Sequence, residues 1–202
     1  MKFLLQLSKW IDAINDGIGK VVSWALLAAV LICVLNASIT FTLHQSSNAW
    51  REIQWYLFGS VFLLGAAHTL RKNEHVRIDV ISGRFSKRIQ AMIDIFGFLC
   101  FLLPMTLLLV YLSWPYAMDS IHNQEMSSNA GGLIKWPAKL LLPIGFILLS
   151  AQGLSELIKR FAFLAGLIDS SVYERQALTP EDEIEAIKNA KPALSTKNAT
   201  SK

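Results

Sequence analysis

Apolar residues in this chain come in long blocks separated by short polar stretches, not as the narrow stripes of water-soluble helices. A hydrocarbon core about 30 Å thick is crossed by about 20 apolar residues in a helix, with a usual range of ~17–25. Residues 21–43 carry no charge. The same holds for 53–70, with His68 near its end, and for 95–118, which Asp94 and Asp119 bracket. The fourth block, 140–155, reaches spanning length when 136–139 are added and Lys139 snorkels to the headgroups, giving a span of about 137–157. The pattern predicts an all-α integral membrane protein with four transmembrane helices.

The flanks read differently. Leu7, Ile11, Ile14 and Ile18 recur at helical spacing beside Trp10, with Lys9, Asp12 and Asp16 opposite, which predicts an interfacial amphipathic helix over 1–20. No small-residue cleavage site follows, and the apolar run behind it is too long for a signal peptide. Loop 71–94 carries a similar stripe at Ile78, Ile81, Phe85, Ile89 and Met92, for which a solvated loop is an equal reading over its first few residues. The membrane domain then covers 21–168, and 169–202 is a polar tail. A helix start at Thr179-Pro180-Glu181-Asp182 predicts a short helix to about Asn189, and 191–202 has the composition of a disordered segment.

Composition agrees with the blocks. Hydrophobic residues make up 53% of the 202 positions, charged residues only 17%, and mean hydropathy is +0.41; soluble domains carry roughly 25% charged residues. A net charge of +4 raises the question of nucleic acid, but the cations cluster at span ends, so lipid and not nucleic acid is the expected contact. Lysines and arginines are dense in 1–20, in loop 71–94 and after the fourth span. They are sparse in 44–52 and 119–135. By the positive-inside rule both termini are cytoplasmic. Cys33 and Cys100 fall in apolar runs at different depths and are expected as unpaired, buried small residues.

The span cores contain no Asp, Glu, Lys or Arg, whereas carriers bury ionisable groups or break paired helices at the midplane. A partner is therefore expected to hold any solute site. In the first span Ala25, Ala29, Cys33 and Ala37 form a small-residue strip that suits close helix packing, either on a partner or within this chain. Trp50, Trp55, Trp114 and Trp136 fall at span ends as interfacial anchors. There is no phosphate loop, no metal-ligand spacing and no nucleophile motif, so neither an enzyme nor a metal or cofactor site is expected.

Polar clusters sit at the membrane edges: Glu52-x-Gln54-Trp55, then Arg71-x-Asn73-x-His75-Val76-Arg77-Ile78-Asp79-Val80, then Glu125-x-Ser127 and Trp136, and finally Pro143-x-Gly145-Phe146 followed by Gln152. Capping and headgroup contact explain them on physical grounds alone. Together, over about residues 20–160, they resemble the small membrane subunit of tripartite ATP-independent periplasmic (TRAP) transporters, the DctQ-like proteins. The resemblance implies a non-catalytic subunit in a bacterial inner membrane that scaffolds a large, multi-span transport subunit. It would also help dock a periplasmic solute-binding protein, for sodium-driven uptake of an organic anion such as a carboxylate or sugar acid. Glu125 and Ser127 match positions on the periplasmic, docking side, and Glu52, Gln54, Trp55 and Gln152 join the expected partner-binding set. Arg71, Asn73, His75, Arg77 and Asp79, with Trp136, Pro143 and Gly145, would be structural. The alternative is a haem-binding membrane anchor of a redox complex, since His44 with His122, or His68 with His75, could supply axial pairs.

Overall fold

A computed structural model of the chain describes residues 2–44, 47–72 and 86–168. All but Ile168 fall in a unit spanning Met1–Leu167, and a second unit starts at Ile168. The helix expected at 179–189, the rest of the tail, and Asn73, His75, Arg77 and Asp79 with most of their loop lie outside the described residues.

Among the described residues the chain is helical, with four helices long and apolar enough to cross a membrane. α1 is Lys2–Leu43 and α2 is Asn48–Arg71. α3, Lys87–Gly97, passes through a π-helical turn at Phe98–Leu102 into α4, Leu103–His122, so the third span is a 36-residue rod. α5 is Trp136–Leu164. A loop, 123–135, joins α4 to α5 and is pinched by a single antiparallel bridge between Met126 and Ile134.

Two expectations shift in extent. The 1–20 segment runs into the first span without a break, giving one 42-residue helix of roughly 63 Å. The third helix begins at Lys87, so Asp94 is a helical residue inside the rod and no longer its boundary. The π turn has a local cause. Pro104 lacks the N–H that an α-helix would aim at residue 100, and the Leu103 N–H reaches back five residues to the Phe98 carbonyl instead. The Thr106 hydroxyl bonds back to the turn before it, donating to the Leu102 carbonyl at 2.9 Å and standing 3.2 Å from that of Leu103. At the other end of the chain α5 closes with a Schellman motif: Leu167 N–H donates to the Ala162 carbonyl, Gly166 N–H to that of Phe163, and Gly166 takes φ +71°.

α5 is the centre of the packing, touching α1, α2 and the α3–α4 rod. It crosses α2 closely at Gly145, where a Cβ would stand 3.0 Å from the Leu63 carbonyl oxygen; buried Pro143 lies one half-turn before it. The interior is small and polar. Ala29, Ala67, Ala91, Ala117 and Ala162 are fully buried alongside Ser8, Asn15, Thr106, Ser120, Gln152 and Ser155, while Trp24, Phe41, Phe62 and Tyr111 are turned outward. This inversion is what a lipid solvent favours, because tails solvate large apolar groups as well as a core does and helices gain most from close backbone approach. For the same reason Cys33 and Cys100 are exposed and free, which corrects the expectation that they are buried.

Candidate functional site

Polar side chains concentrate at the two ends of the helical unit. At the loop end Glu52, in the second turn of α2, is buried and serves as an acceptor for the 123–135 loop. One carboxylate oxygen takes the Ser127 hydroxyl and the Asn129 amide (2.9 Å); the other takes the Leu133 backbone N–H at 2.6 Å. Asn48 donates to the Ala130 carbonyl (3.0 Å) and Tyr56 to that of Ile134 (3.2 Å). Gly132 passes so close to Ser127 and Glu52 that no side chain fits there. A second carboxylate, Glu125, closes the base of the loop. It accepts from Lys139 and from Ser120 (2.9 Å), with the Lys135 ammonium 3.6 Å away. The Lys139 hydrogen bond, then that of Ser120, hold the Glu125 carboxyl below its ordinary value, with the charges of Lys139 and Lys135 adding to the effect. Lys139 also lies over the Tyr116 ring, 4.0 Å from its centre.

The opposite end, where the N-terminal part of α1 meets the ends of α2 and α5 and the start of the rod, is tied by charge. Asp12 of α1 accepts from Ser155 and Gln152, each at 3.0 Å, and pairs with Lys159 at 2.7 Å. Asp16 pairs with Arg71 of α2 and stands 3.6 Å from His68. Glu156 accepts from Gln152 (3.1 Å), Lys159 (2.8 Å) and Arg160 (2.6 Å). Arg160, buried, reaches the rod at Asp94 (3.0 Å) and lies over the Phe98 ring. Deeper in, the Ser8 and Ser155 hydroxyls are 2.7 Å apart. Because Gln152 spends its amide NH₂ on two carboxylates, its oxygen must face Asn15, which donates to it at 2.7 Å and is left with a buried oxygen lacking a donor.

Sequence reasoning missed this second cluster: Asp12 and Asp16 read as the polar face of an interfacial helix and Lys159 and Arg160 as cations after the fourth span, while Ser8, Asn15, Ser155 and Glu156 carry no expectation. The available signal was the matching 3–4-residue spacing of polar groups on both segments. Of the expected residues, Glu52, Glu125 and Ser127 converge in one loop fastening, and Gln152 and Arg71 join the charged end. Gln152 is fully enclosed by this chain, with each polar atom bonded inside it. Gln54, expected in the partner-binding set, is buried, and its NH₂ has no acceptor among the described residues. Trp55 is exposed and Trp136 half-buried. Along the small strip Ala29 is sealed in the interior and Ala25 half-buried, while Cys33 and Ala37 are exposed. Among the described residues no cluster of three or more His, Cys, Asp or Glu side chains is placed to hold a metal ion.

The comparisons with known proteins agree with this arrangement of spans and motifs. The family model for tripartite ATP-independent periplasmic transporters, DctQ component, matches residues 29–163, two thirds of the chain, and nothing supports the haem alternative. No curated protein matches the sequence.

Proposed function

The chain belongs to the DctQ family, the small component of tripartite ATP-independent periplasmic transporters, and from that premise we propose that it is the non-catalytic frame of such a transporter. It braces a large multi-span subunit that moves, and it helps seat a periplasmic solute-binding protein during sodium-driven uptake of an organic anion. Both termini and the charged end face the cytoplasm in this reading, and the loop 123–135 faces the periplasm, as the lysine and arginine distribution requires.

The observation that carries the reading is how the buried polar groups are used. Asp12, Asp16 and Asp94 are engaged with cations or amides of neighbouring helices in this same chain, and Glu156 holds Lys159 and Arg160 of its own helix in place for Asp12 and Asp94. Groups committed to holding four helices together are poorly suited to binding and releasing a solute. The outer half of α1, by contrast, presents Cys33, Ala37 and a ring of large apolar residues outward, a face that suits packing against another membrane helix. Glu125 and Ser127 would act in docking by setting the shape of the loop that carries exposed Asn123, Ser128 and Asn129.

Gentle detergent extraction of the tagged chain should recover a much larger apolar protein in fixed proportion, and the chain alone in sealed vesicles should accumulate no labelled dicarboxylate or sugar acid. Recovery only as a monomer, or uptake without a companion, would overturn the proposal. Within it, Ser128→Arg should weaken uptake supported by the binding protein while leaving the loop and the complex intact.

A further inference from the structure

The inward face of the third span changes phase at the π turn. In α4 the enclosed positions are Thr106, Ala117 and Ser120, with half-buried Val110 and Ser113 between them, a stripe of ordinary helical spacing. Carried back along an unbroken α-helix, that stripe falls on Leu99, Ile95, Met92 and Arg88. The structure encloses Phe98 and Ala91 instead, and leaves Leu99 55% and Met92 53% exposed. The shift is one residue, and the turn between explains it. A loop closed five residues back holds one residue more than the four-residue loop of an α-helix, so Phe98–Leu102 rotates everything before it by about 100°.

That rotation aims the start of the rod. It brings Asp94 round to Arg160 of α5, 3.0 Å away, and sets the Phe98 ring against the same guanidinium. Two features favour this register. In an α turn the Pro104 ring would press on the Cys100 carbonyl, and the Asp94–Arg160 pair would be lost. Neither forbids the α turn, because helices accommodate proline by kinking and Arg160 keeps Glu156 at 2.6 Å when Asp94 leaves. Close packing would block a rotation, but beside the turn a lateral cleft of about 560 Å³, bordered by Gly97, Phe98, Phe101 and Leu102, leaves side chains room to change places.

We propose that the third span has two registers and that the Asp94–Arg160 pair selects the π one. In the other register the turn closes as α and α3 rotates by about 100°. Leu99 and Met92 then go in, Phe98 and Ala91 move toward the outside, and Asp94 turns away from α5. There its carboxylate can take a cation of a neighbouring chain, so the rod exchanges an internal ion pair for an external one. The change is discrete, because one whole residue enters or leaves the turn.

The test photolyses a membrane-soluble aryl diazirine with the full-length chain in lipid nanodiscs and reads labelling at each position by tandem mass spectrometry. In the wild type Leu99 should be labelled about sevenfold more than Phe98, the ratio of their exposures, 55% against 8%. Asp94→Ala with Pro104→Ala removes both features and should reverse that order. Should this variant not fold, Asp94→Asn with Pro104→Ala makes the same test. Pro104→Ala alone keeps the ion pair and should keep the wild-type order. Deletion of Cys100 takes out the extra residue, leaves Asp94 in phase with Arg160, and should also keep it. The proposal falls if the double variants retain the wild-type order, or if Leu99 and Phe98 both become labelled, as in a frayed helix. It also falls if the wild type labels the two equally, or if Pro104→Ala alone or the deletion reverses the order.

Discussion

The two ends of the unit solve the same problem by different means. At the loop end, two carboxylates hold one short segment: Glu52 collects neutral donors from a loop about 80 residues ahead, and Glu125 is closed by nearby lysines. At the charged end, four carboxylates and three cations from α1, α2, the rod and α5 hold one another. The first arrangement is local, so its failure should free a loop. The second is shared among helices, so its failure should loosen the whole unit.

The largest effect should therefore come from the charged end. Arg160→Ala strands Glu156 and Asp94 in a buried site, and breaking a buried pair by removing one partner costs about 3–5 kcal/mol. Thermal unfolding in mild detergent should show a large loss, with Arg160→Lys recovering part of it because the charge returns without the planar fork that bonds Asp94 on the rod and Glu156 on its own helix together. If Arg160→Ala unfolds no earlier than a loop-end variant, the distinction between a shared and a local fastening is wrong.

Glu52→Gln is the corresponding break at the other end. The amide keeps one acceptor for Ser127 and Asn129 but turns an NH₂ toward the Leu133 N–H, so two donors face each other. Hydrogen exchange should speed up about tenfold at Leu133 and Ser127. The amides of α5 near Gln152 should stay as protected as before. Spread of the loss to that region would show the two ends to be one cooperative unit.

How far this was legible from sequence differs between the ends in the same way. The number and order of spans follow from uncharged blocks, and Glu52, Glu125 and Ser127 stood out because polar residues at a span edge are few. The charged end was hidden for a physical reason. An amphipathic helix has the same spacing in water and in lipid, but its polar face turns out in one and in toward partners in the other. Asp12 and Asp16 opposite Leu7 and Ile14 therefore looked solvated; the α5 partners of Asp12 lie about 140 positions away in the chain, and those of Asp16 are on α2. The π turn was hidden too, since Pro104 reads as a possible kink, and only the packing shows that the helix widens there without breaking.

A titration sharpens the loop end with a smaller effect. Glu125 has its carboxyl held below the ordinary value by Lys139 and Ser120. A depressed carboxylate contributes its full stabilisation above the unfolded value of about 4.3 and loses it as pH falls through the lower folded value. Exchange protection of 125–135 should hold through the range where free glutamate titrates and fail only at more acid pH. In Glu125→Gln the protection should be lower at neutral pH and flat across that window. A wild-type midpoint at the ordinary glutamate value would remove Glu125 from the fastening.

The smallest effect belongs to α1, where the contrast between ends continues along one strip. Ala29 is sealed inside the unit, but Ala37, two turns further, is exposed. Leucine and alanine have similar helix propensity, and an exposed site outside any buried contact tolerates substitution within about ±0.5 kcal/mol. Ala37→Leu should therefore leave the unfolding temperature of the isolated chain where it was. The informative measurement is recovery of the large companion protein, because a small residue on a membrane helix matters when another backbone must come close. If that recovery falls while the chain alone is unchanged, the loop-end half of α1 is the face on which the companion packs. If both are unchanged, the strip serves only the interior through Ala29, and the companion is held elsewhere.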